Sequence, residues 1–243
     1  MQTSTVVGYQ NTTLLKEGYN FIIPTFVNVA DKTAEYDIQQ VKLINCAGDG
    51  SEMIVGYDKD ACLNDKYYFY YTEAGSSGEY TIEGWYDADD DSAPVKNLTM
   101  PLGTGLYLAC YDTGVAVQYS GEVPTFHQTN DLYCAGYNMI GNSTPVTIDL
   151  QDIKLVGCSG DGSEMIVGYD KDACLSDKYY FYYTEAGSSG EYTIEGWYDA
   201  DDDSAPVKGF RLAPGEGVYL CCYDDTVKFT LPDPMTYVLP DDE

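Results

Sequence analysis

Apolar and polar residues alternate in short runs along most of the chain. Glu52–Tyr57, Lys66–Thr72 and Gly105–Tyr111 are typical: they are rich in Val, Ile, Tyr and Phe and are separated by Gly, Asp, Ser and Pro. A period of two with β-branched and aromatic residues predicts strands, and no stretch has sustained helical spacing. Further strands are predicted at Tyr36–Leu43, Glu79–Tyr86 and Val115–Tyr119. The pattern therefore predicts an all-β chain, with Gly75–Gly78 as a hairpin loop.

An internal repeat organises the chain. Residues Gly48–Lys96 match Gly160–Lys208 at an offset of 112, and only Asn64 and Ser176 differ between them. A repeat of this length has the size of a small domain. We therefore expect two tandem β modules from a duplication, residues 1–121 and 122–243. Short strands with closely spaced turns favour a β-sandwich, Ig-like or jelly-roll-like, for each module.

Several short motifs resemble secreted bacterial β-sandwich repeat proteins, a functionally uncharacterised family. Val6–Gln10 and Gly18–Asn20 match its "VGY…GYN…P" opening, and Pro214–Tyr219 matches its "PGEG-aromatic" strand. The first copy departs from the pattern, with Pro101–Gly105 in place of the Pro-Gly-Glu-Gly turn. The resemblance implies export, with a secreted or cell-surface location, and it carries over no catalytic residue.

The charge excludes several classes of partner. The chain has 40 Asp and Glu against 12 Lys and Arg, a formal net charge of −28. Binding to nucleic acids or to anionic membranes requires a basic surface, so neither is expected. No apolar run is long enough for a transmembrane helix, so membrane insertion is not expected either.

The eight cysteines predict disulfides, in keeping with an extracellular location. Cys134 and Cys221 are found only in the second copy, which predicts that they pair with each other. Within each copy the spacing favours Cys46–Cys62 and Cys158–Cys174. Cys110 and Cys222 remain unassigned, and the alternative is that all eight are reduced and buried.

The acids form two duplicated clusters that could hold calcium or another divalent cation, because hard cations prefer several carboxylate oxygens. The first cluster follows Trp85-Tyr86, and the second surrounds a predicted strand. The candidate ligands are Asp87, Asp89, Asp90 and Asp91, with Asp199, Asp201, Asp202 and Asp203 as their copy, and Asp49, Glu52, Asp58 and Asp60, with Asp161, Glu164, Asp170 and Asp172 as theirs. The alternative is that these loops only solubilise the protein.

The 25 tyrosines are concentrated in strands such as 67–71, in which alternate side chains face opposite ways. One face forms the core, and the other is ordinary surface, a protein interface or a platform for sugar rings. The candidates for an interface or a glycan site are Tyr68, Tyr70, Trp85, Tyr180, Tyr182 and Trp197.

These features favour a non-catalytic structural or adhesive subunit that self-assembles into a surface layer or filament. The weakly charged segment with Val6, Val7 and Tyr9 is predicted to pair with the sheet edge of another copy. A carbohydrate-binding module is the alternative. Catalysis by a histidine base is not expected, because His127 is the only histidine and has no counterpart in the first copy. A glycosidase-type enzyme is the third reading, because nothing singles out one catalytic pair among the 40 acids.

Overall fold

The computed structural model describes residues 7–13, 18–26, 35–58, 63–96, 98–124, 129–132, 136–170, 175–224 and 226–232. Regular structure in these ranges consists of β-strands and two single-turn 3-10 segments, Ile38–Gln40 and Leu150–Asp152. The predicted all-β class is confirmed. Within the same ranges, no helix is long and apolar enough to cross a membrane.

The chain folds as two compact units, Met1–Val123 and Pro124–Glu243. The strands of unit 1 are β1 (Val7–Thr13), β2 (Gly18–Ile22), β3 (Glu35–Asp37), β4 (Lys42–Ile44), β5 (Asp49–Asp58), β6 (Leu63–Tyr71), β7 (Gly84–Asp87), β8 (Thr99–Pro101), β9 (Leu106–Cys110) and β10 (Ala116–Glu122). The strands of unit 2 are β11 (Thr129–Asp131), β12 (Gly136–Gly141), β13 (Ile148–Asp149), β14 (Lys154–Val156), β15 (Asp161–Asp170), β16 (Leu175–Tyr183), β17 (Gly196–Asp199), β18 (Arg211–Leu212), β19 (Gly217–Cys222) and β20 (Lys228–Thr230).

The described residues of each unit form three antiparallel sheets, with the same strand order in both units. In unit 1 the orders are β1-β10-β4, β2-β9-β5-β6-β7 and β3-β8, and in unit 2 they are β11-β20-β14, β12-β19-β15-β16-β17 and β13-β18. Side chains from the three-stranded and the five-stranded sheet meet in one buried cluster, for example Leu43 and Val117 with Ile54 and Leu108. The inward positions on each strand are two residues apart, as the alternating pattern requires.

The structure corrects two of the predicted strands. Tyr36–Leu43 is interrupted by the Ile38–Gln40 turn, because the Asp37 side chain accepts a hydrogen bond from the Gln39 backbone N–H and so caps a helical turn. Only the end of Glu79–Tyr86 is a strand, β7. β6 and β7 still pair antiparallel, as the predicted hairpin requires, but their connection is longer than Gly75–Gly78.

The predicted assembly strand lies at a sheet edge. Val7 to Thr13 pair with Glu122 to Ala116 of the same chain, so β1 is the edge strand of the three-stranded sheet in unit 1. β1 is bonded on one side only, and its pairing with another copy stays a prediction. Val6 lies outside the described residues.

Candidate functional site

The aromatic residues predicted to form an exposed platform lie in the core instead. Tyr68, Tyr70 and Trp85 are buried, and so are their copies Tyr180, Tyr182 and Trp197. The Trp85 indole N–H donates to the Val41 carbonyl at 2.9 Å, which satisfies its polar atom inside the cluster. The prediction was wrong because the alternation of the strand does not tell which of its two faces is covered.

The opposite face of each five-stranded sheet, called the outer face, carries the other half of the aromatic strand. In unit 1 the strand register aligns two cross-strand rows on this face. One row is Phe21, Tyr107, Val55 and Tyr67, and the other is Tyr19, Ala109, Met53, Phe69 and Tyr86. Neither row contains a charged residue, although the chain has 40 acids.

Solvent reaches part of this face, whereas Val55, Ala109 and Tyr86 within the rows are buried. Tyr19 is 66% exposed and Tyr67 is 41% exposed, and Tyr111, two residues beyond Ala109 on the same side, is 60% exposed. The Tyr19 and Tyr107 rings meet edge to face, with their centroids 5.6 Å apart. The outer face is therefore an aromatic surface, whereas the solvated side of an antiparallel sheet usually carries polar residues.

Unit 2 repeats the outer face. The corresponding rows are Met139, Tyr219, Val167 and Tyr179, and Tyr137, Cys221, Met165, Phe181 and Tyr198. Tyr137, Tyr179 and Tyr223 are exposed in place of Tyr19, Tyr67 and Tyr111. One chain therefore presents two aromatic faces of nearly the same composition.

A tyrosine cluster covers one end of the outer face. Tyr71 and Tyr80 stack with their ring centroids 4.0 Å apart, and Tyr86 meets both edge to face. The Tyr80 hydroxyl donates to Asp91 at 2.7 Å, and this hydrogen bond raises the pKa of Tyr80. A shallow cleft of about 310 Å³ lies beside the cluster, lined by Tyr80, Tyr86, Asp91 and Pro94 among others.

The acidic loop after β7 uses its carboxylates for local turns. Asp87 accepts the backbone N–H of Asp89, and Asp90 accepts both the N–H and the hydroxyl of Ser92. These are the Asx turns expected of aspartate in loops. Unit 2 repeats the three bonds with Asp199, Asp201, Asp202 and Ser204, and Asp203 accepts the Tyr192 hydroxyl. The carboxylates of this predicted cation-binding loop therefore stabilise the local turns of the loop.

The second predicted acidic cluster is not a single site. Asp49 begins β5 and pairs with Tyr71, whereas Asp58 ends the same strand and pairs with Leu63. At about 3.3 Å per residue the two ends are about 25–30 Å apart, too far to share an ion. Asp161 and Asp170 are separated in the same way on β15. Asp60 and Asp172 lie outside the described residues.

One member of that cluster in each unit is unusual. The Glu52 and Glu164 side chains are completely buried at the start of β5 and β15. Among the residues that the structure describes, neither carboxylate oxygen of Glu52 has a hydrogen-bond partner, nor has Oε2 of Glu164. Burial raises the pKa of Glu52, and the nearby Asp112 raises it further; burial and the charge of Asp224 raise the pKa of Glu164. The sequence did not indicate Asp112 or Asp224, although both are repeat positions.

The described cysteines, Cys46, Cys110, Cys158, Cys221 and Cys222, are not joined to one another. Burial and the charge of Glu52 raise the pKa of Cys46 to about 11, and burial and Glu164 raise that of Cys158 to about 11. Cys62, Cys134 and Cys174 lie outside the described residues. The pairs Cys46–Cys62, Cys158–Cys174 and Cys134–Cys221 therefore stay predictions.

Neither clusters of metal-ligating side chains nor comparisons with known proteins indicate an activity or a family. Among the residues described by the structure, no group of three or more His, Cys, Asp or Glu side chains is arranged to hold a metal ion. No family model, no curated protein and no solved structure matches the sequence.

Proposed function

We propose that the protein is a non-catalytic, exported structural or adhesive subunit, built from two duplicated β-sandwich modules, that associates with copies of itself through its outer faces. The observation that carries this proposal is the uncharged aromatic outer face on each five-stranded sheet. Partly exposed Tyr and Phe with Met and Val match the composition of the central part of protein interfaces, where charged residues are depleted.

The duplication supports an assembly. A single chain presents two such faces, one on each unit, so each copy can contact two others. A subunit with two adhesive surfaces forms either a closed ring or an open filament, depending on the angle between successive copies. This route does not involve β1, the edge strand on which the predicted strand pairing between copies depends.

The occupant of the outer face is a second copy of the chain. A basic partner would be attracted by the net charge of −28, but the outer-face rows contain no acids to pair with its basic side chains. Tyrosine rings of one copy can pack against tyrosine rings of another copy, and this contact requires no complementary charge. The remaining surface of each copy repels other copies, so association requires enough salt to screen that repulsion, about 0.15 M.

The test is self-association of the full chain at this ionic strength. Analytical ultracentrifugation over a range of concentrations and negative-stain microscopy should both detect oligomers. Tyr67→Lys with Tyr179→Lys puts one charge at each outer face, and we expect at least a tenfold weaker association, since an unpaired charge in an interface costs more than about 1.4 kcal/mol.

The matched control is Ala74→Lys with Ala186→Lys. It makes the same charge change at exposed turn residues outside the outer-face rows, and association should be unchanged. A wild-type chain that remains monomeric at high concentration and moderate salt would contradict the proposal. Selective binding on a glycan array by such a monomer would identify a carbohydrate-binding module instead.

A further inference from the structure

Each unit buries a glutamate, and the charged groups next to it are acidic in the part of the chain that the structure describes. Glu52 immediately precedes Met53, which pairs with Ala109 of β9, and Asp112 follows Ala109 by three residues. This register brings the end of β9 and the start of β5 together, so that the carboxyl groups of Glu52 and Asp112 face each other. Asp49 adds a third negative charge nearby. In unit 2 the equivalent residues are Glu164, Asp224 and Asp161.

The arrangement is unfavourable without a positive charge. Glu52 is 0% exposed, and among the described residues neither of its oxygens has a hydrogen-bond partner. Glu164 is also 0% exposed, with one long hydrogen bond of 3.4 Å from the Ser163 hydroxyl to Oε1. A buried carboxylate beside a second carboxylate must be neutralised, either by a proton or by a cation.

We propose that each unit binds one divalent cation of the calcium type between these neighbouring carboxylates, with Glu52 and Asp112 as ligands in unit 1 and Glu164 and Asp224 in unit 2. Two carboxylates from the protein leave the remaining coordination positions to water and backbone oxygens, as calcium sites commonly do. The proposal goes beyond self-association and does not depend on it.

The surroundings favour a hard cation over zinc. Among the described cysteines, Cys46 and Cys110 lie near Glu52, and Cys110 donates its thiol hydrogen to the Asp112 carbonyl at 3.2 Å. Zinc binds cysteine as thiolate, whereas calcium binds the carboxylate and carbonyl oxygens that are present here. Calcium sites with few carboxylates in extracellular modules bind with a Kd of about 10⁻⁴–10⁻³ M.

The test is titration of the full chain with CaCl2 after treatment with EDTA. Calorimetry should count two ions per chain, one for each unit. Thermal unfolding at calcium about tenfold above Kd should shift upward by about 3–6 °C. MgCl2 should give a smaller shift, because magnesium gives up its water ligands reluctantly. NaCl of equal ionic strength measures the effect of screening alone.

Single and double variants test which glutamate binds each ion. Glu52→Gln and Glu164→Gln should each remove one ion, and together they should remove both along with the calcium-dependent shift. In EDTA the same variants should melt no lower than the wild type, because the amide removes a buried charge. This second readout separates loss of the ion from loss of the fold.

The matched control is Glu73→Gln with Glu185→Gln, which makes the same charge change at exposed positions and should leave two ions bound. The proposal is overturned if calcium produces no binding heat. It is also overturned if NaCl reproduces the whole shift, or if the double variant still binds two ions. In those cases the buried glutamates are neutralised by protons.

Discussion

The Gln39 side chain links the turn after β3 to β7 by hydrogen bonds. Its removal tests how much this link stabilises unit 1. Its side-chain amide donates to the Trp85 carbonyl at 2.8 Å and to the Val95 carbonyl at 3.0 Å, and its oxygen accepts the Trp85 backbone N–H at 3.1 Å. The Trp85 carbonyl also accepts the Val95 N–H. Gln39→Ala therefore leaves two backbone groups without a partner, the Trp85 N–H and the Val95 carbonyl.

The expected cost follows from these two groups. An unsatisfied buried backbone group costs about 1–3 kcal/mol. Gln39 is only half-buried, so water can reach part of the gap, and we take the lower part of the range for each group. The expected loss for unit 1 is about 2–3 kcal/mol. Gln39→Glu should cost at least as much, because a carboxylate cannot donate to either carbonyl.

Urea unfolding followed by tryptophan fluorescence measures this loss. The chain has two tryptophans, Trp85 in unit 1 and Trp197 in unit 2, so a Trp197→Phe background reports unit 1 alone. The shift of the midpoint, multiplied by the slope, gives the change in the free energy of unfolding.

The control is Gln40→Ala. Its buried side-chain oxygen has no partner in the described part of the chain, so its loss should cost little. If the loss of unfolding free energy for Gln39→Ala is within about 0.5 kcal/mol of the loss for Gln40→Ala, the reasoning is refuted.

Two other predictions concern alkaline pH and a close backbone approach. Burial and a hydrogen bond to Glu83 raise the pKa of Tyr70, and burial raises that of Tyr107 to about 12. These groups stabilise the fold below the unfolded pKa of about 10, and the stability is lost as pH rises above it. The free energy of unfolding should therefore fall more steeply above pH 10 in the wild type than in Tyr70→Phe, and equal slopes would contradict this. Gly75→Ala should lower the melting temperature more than Gly78→Ala. A Cβ at Gly75 collides with backbone oxygens of the Ala47–Gly48 segment, whereas one at Gly78 meets open space, and only the φ of +87° strains an alanine there. Thermal unfolding of the two variants decides the order.

The residues within each strand were sufficient to predict several features. The period of two in Lys66–Thr72 and Gly105–Tyr111 predicted strands where β6 and β9 lie. Glycines and aspartates marked most of the turns. Local propensity failed at Tyr36–Leu43, where Asp37 caps a helical turn within an apolar run. It failed there because a hydrogen bond between a side chain and the backbone competes with strand pairing, and alternation alone does not reveal that competition.

The candidate sites were harder to predict. The aromatic strand at 67–71 has two equally aromatic faces, and the order of residues cannot tell which face is covered. Packing against the three-stranded sheet decides that Tyr68 and Tyr70 are core and that Tyr67 and Phe69 form the outer face. The acids that are close in sequence, Asp49 and Asp58, proved to be far apart, because an extended strand separates its ends.

The linear order of residues was thus enough to determine the all-β class, the internal repeat and the large excess of acids, because these depend on local periodicity, self-similarity and composition. Only the tertiary structure decided which tyrosines reach solvent, that β1 pairs with its own chain, and that Asp112 faces Glu52. Each of these depends on register between strands that are distant in sequence. The pairing of β5 with β9, more than 50 residues apart, is what brings the two carboxylates together.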